Sequence, residues 1–279
     1  MQQAWNIELR DLRIGYGETV VLENVTATLP AGRISVILGA SGGGKSTLLR
    51  HIIGLSRPFS GKILLGGKDF FAMRTKDFRM ARRRMGVLFQ DGALLGALTV
   101  GENVALPLTE HTTLPPSVVR EIVLHKLALV GLADFADYYP SELSGGMRKR
   151  AGLARAMVTD PPILLCDEPT SGLDPINAAQ MDELLLDMKA RFPDMTIVSV
   201  SHDMESVKNI ADHVLVLHRK TIAYTGDLAG LENSTDPYLR LFLDRKAAHQ
   251  EARDDPRLTL SDETRKRMHL SLGSWLEHE

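Results

Sequence analysis

The segment GASGGGKS, residues 39–46, constrains the fold of this 279-residue chain more than any other feature. It follows the nearly continuous apolar run 33–39 and leads into KSTLLRHIIGL, whose apolar residues recur at helical spacing. A strand, a glycine loop and a helix form the opening unit of a parallel α/β sheet. We therefore predict a phosphate-binding loop here, and we give less weight to the alternative of a glycine-rich turn without function.

The residue types of this loop suit the phosphates of a nucleotide. Glycines let backbone N–H groups turn toward phosphate oxygens, Lys45 supplies a positive charge, and the Ser46 hydroxyl is a ligand for Mg²⁺. The residues predicted to contact the nucleotide are Gly39, Ala40, Ser41, Gly42, Gly43, Gly44, Lys45, Ser46 and Thr47.

The rest of the chain predicts a mainly parallel α/β core with additions. Residues 5–30 alternate apolar and polar side chains between glycine turns, which is typical of short antiparallel strands. Helical patterns, such as the one at 177–192, separate further apolar runs that have the length and β-branched content of buried parallel strands. These runs are 162–169, 195–203 and 213–218.

Residues 91–158 predict a helical subdomain, in which Pro115 and Pro116 divide two helices. The charged tail from about 245 predicts one capped helix after Ser261. We expect one domain over 1–245 and a charged extension over 246–279. The extension is read either as a solvated terminus or as a segment that packs on a neighbouring subunit or an accessory protein.

Three further side chains are predicted at the carboxyl edge of the sheet. The strand ILLCD ends in Asp167, which is placed to hold Mg²⁺ through water, and Glu168 follows it as a group that polarises an attacking water. His202 ends another parallel strand at the same edge. The alternatives are two acids that end a strand in solvent and a histidine without a catalytic role. Gln90, after the apolar VLF, carries little signal taken alone.

Composition narrows the function classes. Positive and negative side chains nearly cancel, with a formal net charge of -2, so nothing global indicates nucleic acid or an anionic membrane surface. The basic segment 74–86 is interpreted as a solvated helix face rather than a phosphate or lipid contact. With one cysteine, Cys166, no export signal in the sequence and no long apolar run, we expect a soluble, intracellular protein.

A second phosphate-binding helix start is predicted in SELSGGMRKR, residues 141–150. The chain has two phosphate-binding helix starts but only one lysine-bearing loop and one acid pair. Two copies of the protein would give each helix start a loop and an acid pair to face. If two copies associate head to tail about a two-fold axis, residues Ser144, Gly145 and Gly146 of each face the phosphate loop of the other. Two nucleotides would then be buried at the interface.

These motifs together resemble the ATP-binding subunit of ABC transporters, from about residue 5 to 230. The six elements that carry the resemblance occur in order: residues 39–46, Gln90, LSGGM at 143–147, LLCDEP at 164–169, SGLD at 171–174 and His202. The resemblance implies an ABC-type nucleotide-binding fold of the P-loop class, with an N-terminal antiparallel β subdomain and an inserted helical subdomain. It also implies ATP and Mg²⁺ as cofactors and a homodimer as the working state. The one departure is Met147, where many members have glutamine.

Carried over by motif, the resemblance assigns a role to each residue. Tyr16 would stack on adenine, and Gln90 would sense Mg²⁺ and water while linking to the membrane partner. Ser144 and Gly146 would contact the γ-phosphate across the dimer, and Asp174 would couple the two sites. Lys45, Glu168 and His202 would serve hydrolysis.

A narrower resemblance comes from segments outside the nucleotide site. Residues 85–115, 139–156 and 238–244 are similar to the ATPase of Mla/Mce-type phospholipid transport systems. This implies permease subunits as partners, a peripheral position on the cytoplasmic face of the inner membrane, a small accessory cytoplasmic protein and a periplasmic lipid-binding Mce protein. The alternatives are another cargo, such as an amino acid or a lipoprotein, a soluble ABC protein acting on nucleic acid or ribosomes, and a binding module that does not hydrolyse ATP.

Overall fold

A computed structural model describes residues 5–243 and Thr264. The chain divides into two compact units, residues 1–231 and 232–279. In the second unit the described residues include the helix Pro237–Leu243. The helix predicted after Ser261 lies outside the described residues apart from Thr264, which is helical. The domain boundary at 245 stays a prediction.

The described residues form strands and helices in the alternating order expected of an α/β protein. The strands are β1 (Ile7–Tyr16), β2 (Thr19–Leu29), β3 (Ile34–Gly39), β4 (Ser60–Leu65), β5 (Lys68–Asp69), β6 (Met85–Leu88), β7 (Ile163–Asp167), β8 (Thr196–Ser201), β9 (His213–His218) and β10 (Thr221–Gly226). The helices are α1 (Lys45–Ile53), α2 (Thr75–Arg83), α3 (Val100–His111), α4 (Pro116–Leu129), α5 (Gly145–Ala156), α6 (Pro175–Arg191), α7 (Met204–Ile210), α8 (Leu228–Glu232) and α9 (Pro237–Leu243). Short 3₁₀ helices occur at Phe70–Ala72, Ala133–Phe135 and Pro140–Glu142.

The N-terminal strands form a separate antiparallel sheet in the order β2-β1-β4-β5. β1 alternates buried apolar and exposed side chains, which is the period-two pattern read from the sequence. The register shifts near Asp11, where φ is 48° and the backbone N–H bonds to the Thr26 hydroxyl at 2.9 Å. This sheet and the central sheet share one core cluster that also holds the apolar face of α1.

The central sheet carries the strands that matter for the site, in the order β10-β9-β3-β8-β7-β6. β3 pairs in parallel with β8 and β9, and β7 pairs in parallel with β6 and β8. Every residue of β3, β7 and β8 is buried, because helices and the second sheet cover both faces. In this register Leu38 lies beside Ser201, Val200 beside Asp167 and Cys166 beside Leu88. The strands therefore end side by side at one edge.

Helices α3, α4 and α5 fill the connection between β6 and β7, as the sequence predicts. The Thr99 hydroxyl accepts from the Glu102 N–H at 3.2 Å, and Glu102 accepts from the Thr99 N–H at 2.7 Å, so α3 begins with a capping box. α4 begins at Pro116, which confirms that the proline pair separates two helices. The basic helix α2 is mostly exposed, in line with the interpretation as a solvated face.

Candidate nucleotide-binding site

The phosphate loop, residues 39–46, joins β3 to α1 in a conformation that glycine makes accessible. Gly42 and Gly44 have φ of 76° and 92°, in the left-handed region. A Cβ on Gly44 would also lie 2.9 Å from the side chains of Val21 and Leu22, so a larger residue is excluded by packing as well. The Gly43 N–H donates to the Ala40 carbonyl at 3.0 Å and closes the turn.

Lys45 begins α1 and folds back over this loop. Its Nζ donates to the carbonyl oxygens of Gly39 at 2.9 Å and Ala40 at 3.1 Å. Burial lowers the pKa of Lys45, and the negative charges of Glu168 and Asp167 oppose that shift. Carbonyl oxygens of the loop thus hold the ammonium group, and a phosphate can replace them as its partner.

Ser46 and Asp167 form a pair of oxygen ligands. The Ser46 hydroxyl donates to Asp167 Oδ1 at 2.8 Å. Burial raises the pKa of Asp167, while the hydrogen bond from Ser46 lowers it. A hydroxyl and a carboxylate fit Mg²⁺, which prefers oxygen ligands and takes the rest from phosphates and water. Among the described residues, no group of three or more His, Cys, Asp or Glu side chains is arranged to hold a metal ion.

Glu168 follows Asp167 in the chain, immediately after the end of β7. Its Oε1 is 3.9 Å from Lys45 Nζ and 3.4 Å from His202 Nδ1. Its φ is 49°, unusual for a residue with a Cβ, and its N–H donates to the Val200 carbonyl at 3.1 Å. The structure thus brings together Lys45, Ser46, Asp167, Glu168 and His202, which the sequence had placed at one sheet edge.

Gln90 lies two residues beyond β6 and is exposed. Because β6 pairs with β7, Gln90 follows a strand that ends beside Asp167. The chain then turns at Gly92, whose φ is 75° and whose N–H donates to the Phe89 carbonyl at 2.8 Å. Tyr16 ends β1 and is 67% exposed, so its ring is accessible to a base. The roles of both residues stay predictions.

The signature segment, residues 143–147, lies at the start of α5. Ser144 caps this helix by accepting from the Met147 N–H at 3.2 Å, and both Ser144 and Gly145 are exposed. A Cβ on Gly146 would lie 3.3 Å from Asn177 Oδ1, so the segment lies against α6. Asp174 caps α6, and the hydrogen bonds that it accepts from Asn177 lower its pKa.

Sequence reasoning missed one residue of this region, Lys149. It is buried on α5, where its Nζ reaches the backbone behind Glu168. The spacing in the sequence indicates its burial. Lys149 lies on the same face of α5 as the buried residues Gly146, Leu153 and Ala156, at spacings of three, four and three residues.

Comparison with known proteins identifies the family. A model described as ABC transporter matches residues 22–171. The intermembrane phospholipid transport system ATP-binding protein MlaF of Escherichia coli is 42% identical over 238 residues, which cover 85% of this chain and 88% of MlaF. The chain belongs to the ABC transporter family. The predicted family and fold class are confirmed.

Other ABC proteins match over similar lengths. A Mycobacterium tuberculosis protein named probable ribonucleotide transport ATP-binding protein mkl is 46% identical over 238 residues, which cover 85% of this chain. This chain spans 66% of that protein's length. The dimeric post-hydrolysis structure of the ATP-binding cassette MJ0796 with ADP and Pi matches at a TM-score of 0.73 and 29% identity, covering 80% of this chain and 98% of that one.

A second ABC structure, cbiO1 from Clostridium perfringens, is described as part of the transporter complex cbiONQ. It matches at a TM-score of 0.75 and 27% identity, covering 86% of this chain and 96% of that one.

Within the described part of this ABC chain, no helix is both long enough and apolar enough to cross a membrane.

Proposed function

We propose that this chain binds and hydrolyses ATP in two sites that a pair of copies builds together. The observation that carries the proposal is a contrast within one chain. Lys45, Ser46, Asp167 and Glu168, the residues proposed to bind phosphate and Mg²⁺ and to activate water, contact one another within the chain. The helix start at Ser144, in contrast, is exposed, and the Ser144 hydroxyl accepts only from the first turn of its own helix. A dimer in which each exposed helix start closes the other copy's cluster accounts for both. The similar MJ0796 cassette is dimeric with ADP and Pi.

Within each site the residues of one chain would divide the work of hydrolysis. Lys45 would bind the terminal phosphates, and Ser46 and Asp167 would hold Mg²⁺, directly and through water. Mg²⁺, when bound, supplies positive charge that orients and neutralises the phosphates. Glu168 would accept a proton from the water that attacks the γ-phosphate, and His202, 3.4 Å from Glu168 Oε1, would keep that carboxylate in place.

The second copy would supply the remaining contacts. The first backbone N–H groups of a helix have no partner within it, so at the start of α5 Ser144 and Gly146 would bind the γ-phosphate of the other copy's ATP. Gly145 would belong to the same contact. Asp174 caps α6 beside this segment and would couple the two sites, and the exposed ring of Tyr16 would stack on adenine.

Complementation between two inactive variants tests the shared site. Lys45→Met damages the phosphate loop, and Ser144→Arg blocks the exposed helix start, so each homodimer should lose hydrolysis. A mixed dimer contains one site in which both defects meet and one site that is intact. Random exchange should therefore restore about a quarter of wild-type turnover. Absence of any recovery, or full turnover by a strictly monomeric form, would contradict the shared site.

We further propose that the dimer drives a pair of integral membrane permease subunits from the cytoplasmic face of the inner membrane. Phospholipid is the proposed cargo, because the match to MlaF covers 88% of that protein. Gln90 and the loop after it would contact the permease. A small accessory cytoplasmic protein and a periplasmic lipid-binding Mce protein would complete the system, and nucleic acid has no part in it.

The name of the mycobacterial relative favours a second candidate, transport of ribonucleotides. Purifying the tagged chain from detergent-solubilised membranes and analysing bound molecules by mass spectrometry separates the two cargoes. We expect a permease with bound phospholipid, at levels above a mock purification from cells that carry the untagged chain. Enrichment of a ribonucleotide, an amino acid or a lipoprotein instead would overturn the lipid proposal. Salt-sensitive binding of the chain to DNA or RNA would overturn the transport role.

A further inference from the structure

A buried lysine on α5 holds the backbone of the proposed catalytic carboxylate. Lys149 is 5% exposed, and its Nζ donates to the carbonyl oxygens of Glu168 at 3.1 Å and Ser171 at 2.5 Å. The Glu168 carbonyl also accepts from the Ser171 N–H at 3.2 Å. An ammonium group is costly to bury unless its protons are bonded, so these contacts fix the turn that follows β7.

This turn needs to be held, because Glu168 is in a strained conformation. Its φ of 49° lies in the left-handed region, which is unfavourable for a residue with a Cβ. The Val200 carbonyl binds the Glu168 N–H at 3.1 Å on one side, and Lys149 binds the Glu168 carbonyl on the other. The direction of the carboxylate toward Lys45 and His202 therefore depends on bonds at both ends of the residue.

The same helix also contacts the loop that follows Gln90. Arg155, near the end of α5, donates to the carbonyl oxygens of Gly92 and Ala93, each at 2.8 Å. Burial lowers the pKa of Lys149, and the charges of Asp91 and Glu168 oppose that shift. Lys149 thus lies between the loop after Gln90 and the turn after β7.

We propose that Lys149 is a positioning residue for ATP hydrolysis, which fixes the backbone of Glu168 in its own chain so that the carboxylate faces the attacking water. The inference rests on the proposed function. Lys149 lies two residues after the signature segment, which would serve the other copy's ATP, so one helix would connect the two sites to which each copy contributes.

Two substitutions test whether the hydrogen bonds of Lys149 matter for the chemical step. Lys149→Met keeps the chain length but removes the donors, and we expect kcat to fall by at least about tenfold while the KM for ATP changes by less than about threefold. Lys149→Gln keeps N–H donors without the charge and should retain at least about threefold more kcat than the methionine variant. If Lys149→Met does not fold, the kcat and the KM for ATP of Lys149→Gln are compared with those of the wild type instead.

Lys189 provides a matched control. Its Nζ also donates to two backbone carbonyls, those of Pro193 and Met195, at the far end of α6. Lys189→Met should lower the thermal midpoint about as much as Lys149→Met does but leave kcat unchanged. Wild-type kcat in Lys149→Met, or equal losses in the methionine and glutamine variants, would overturn the proposal. Lack of ATPase activity in the wild-type protein would instead overturn the proposed function.

Mixed dimers show which site Lys149 serves. The reference pairs a Glu168→Gln chain with a wild-type chain. Placing Lys149→Met on the same chain as Glu168→Gln should leave the reference turnover unchanged, because that chain's carboxylate is already lost. Placing it on the other chain should lower turnover by about the tenfold seen in the homodimer. The reverse pattern would mean that Lys149 acts through the signature segment, and it would overturn the proposal.

Discussion

The phosphate loop and the signature segment both contain glycines and both begin a helix, α1 and α5. Around the phosphate loop, side chains from α1, β7 and the segment after β8 are already within contact distance of one another. Around the signature segment, the Ser144 hydroxyl bonds to its own helix and faces solvent. One region is assembled within the chain, whereas the other presents an accessible helix start. In the proposed dimer, the assembled region of each copy would hold one nucleotide, and its exposed helix start would complete the other copy's site.

The largest expected effect separates binding from hydrolysis in the first region. Glu168→Gln removes the proposed base but leaves Lys45 and Ser46, so ATP binding should persist while kcat falls by about 10²–10³-fold. The variant should then accumulate as an ATP-dependent dimer in size-exclusion chromatography. Adding Ser144→Arg to it should abolish that dimer, because the second region no longer closes the site.

Glu183→Gln supplies the control, since Glu183 is an exposed acid on α6 and the substitution makes the same change of charge. It should hydrolyse ATP at the wild-type rate. Unchanged hydrolysis by Glu168→Gln would show that another group acts as the base. A dimer that survives Ser144→Arg would show that the signature segment does not complete the site.

A smaller effect is expected in the loop 89–99, which joins β6 to α3. Asn103 is fully buried on α3 and makes four hydrogen bonds to this loop: its Oδ1 accepts from the Leu95 N–H at 2.7 Å, and its Nδ2 donates to the carbonyls of Leu95, Leu98 and Thr99 at 2.9–3.1 Å. Asn103→Ala should lower the free energy of unfolding in urea by about 2–3 kcal/mol, because backbone groups of the loop lose their partners.

Two measurements sharpen this prediction. Asn209→Ala, which removes an exposed amide with one long bond of 3.4 Å to Asp182, should cost less than about 1 kcal/mol. The affinity of Asn103→Ala for ATP should stay within about threefold of wild type, since the phosphate loop is untouched. A loss of stability as small as that of Asn209→Ala would mean that the loop does not depend on Asn103.

The phosphate loop region could be predicted almost completely from the sequence. Lys45, Ser46 and Asp167 follow or end buried parallel strands, and such strands end at one edge, so the motif spacings alone bring these side chains together. The strand and helix order followed from the same patterns.

Contacts between distant segments could not be predicted in this way. Lys149 bonds to residues 19 and 22 positions away, and the helical spacing that places it on the buried face of α5 does not show which backbone groups its ammonium contacts. The left-handed backbone of Glu168 depends on tertiary hydrogen bonds and leaves no trace in the residue type. Asn103 is similar, because its burial depends on the folding of loop 89–99 around it.

The smallest expected effect uses Cys166, the one cysteine of the chain, as a reporter on the first region. Burial in β7 raises the pKa of its thiol to about 12, and the charge of Asp167 adds to the shift. At pH 8 the native thiol is therefore protonated, and iodoacetamide should react only after β7 opens. ATP with Mg²⁺ at ten times its Kd should slow labelling by about tenfold, because the nucleotide binds only the closed form.

The same measurement distinguishes the two regions at concentrations where the chain is monomeric. Lys45→Met should abolish the protection by ATP, since it damages the loop that binds the phosphates next to β7. Ser144→Arg should leave the protection intact, because in a monomer the signature segment does not contact the nucleotide bound by its own chain. Equal loss of protection in both variants would mean that the two regions bind ATP within one chain, and the shared site would then be wrong.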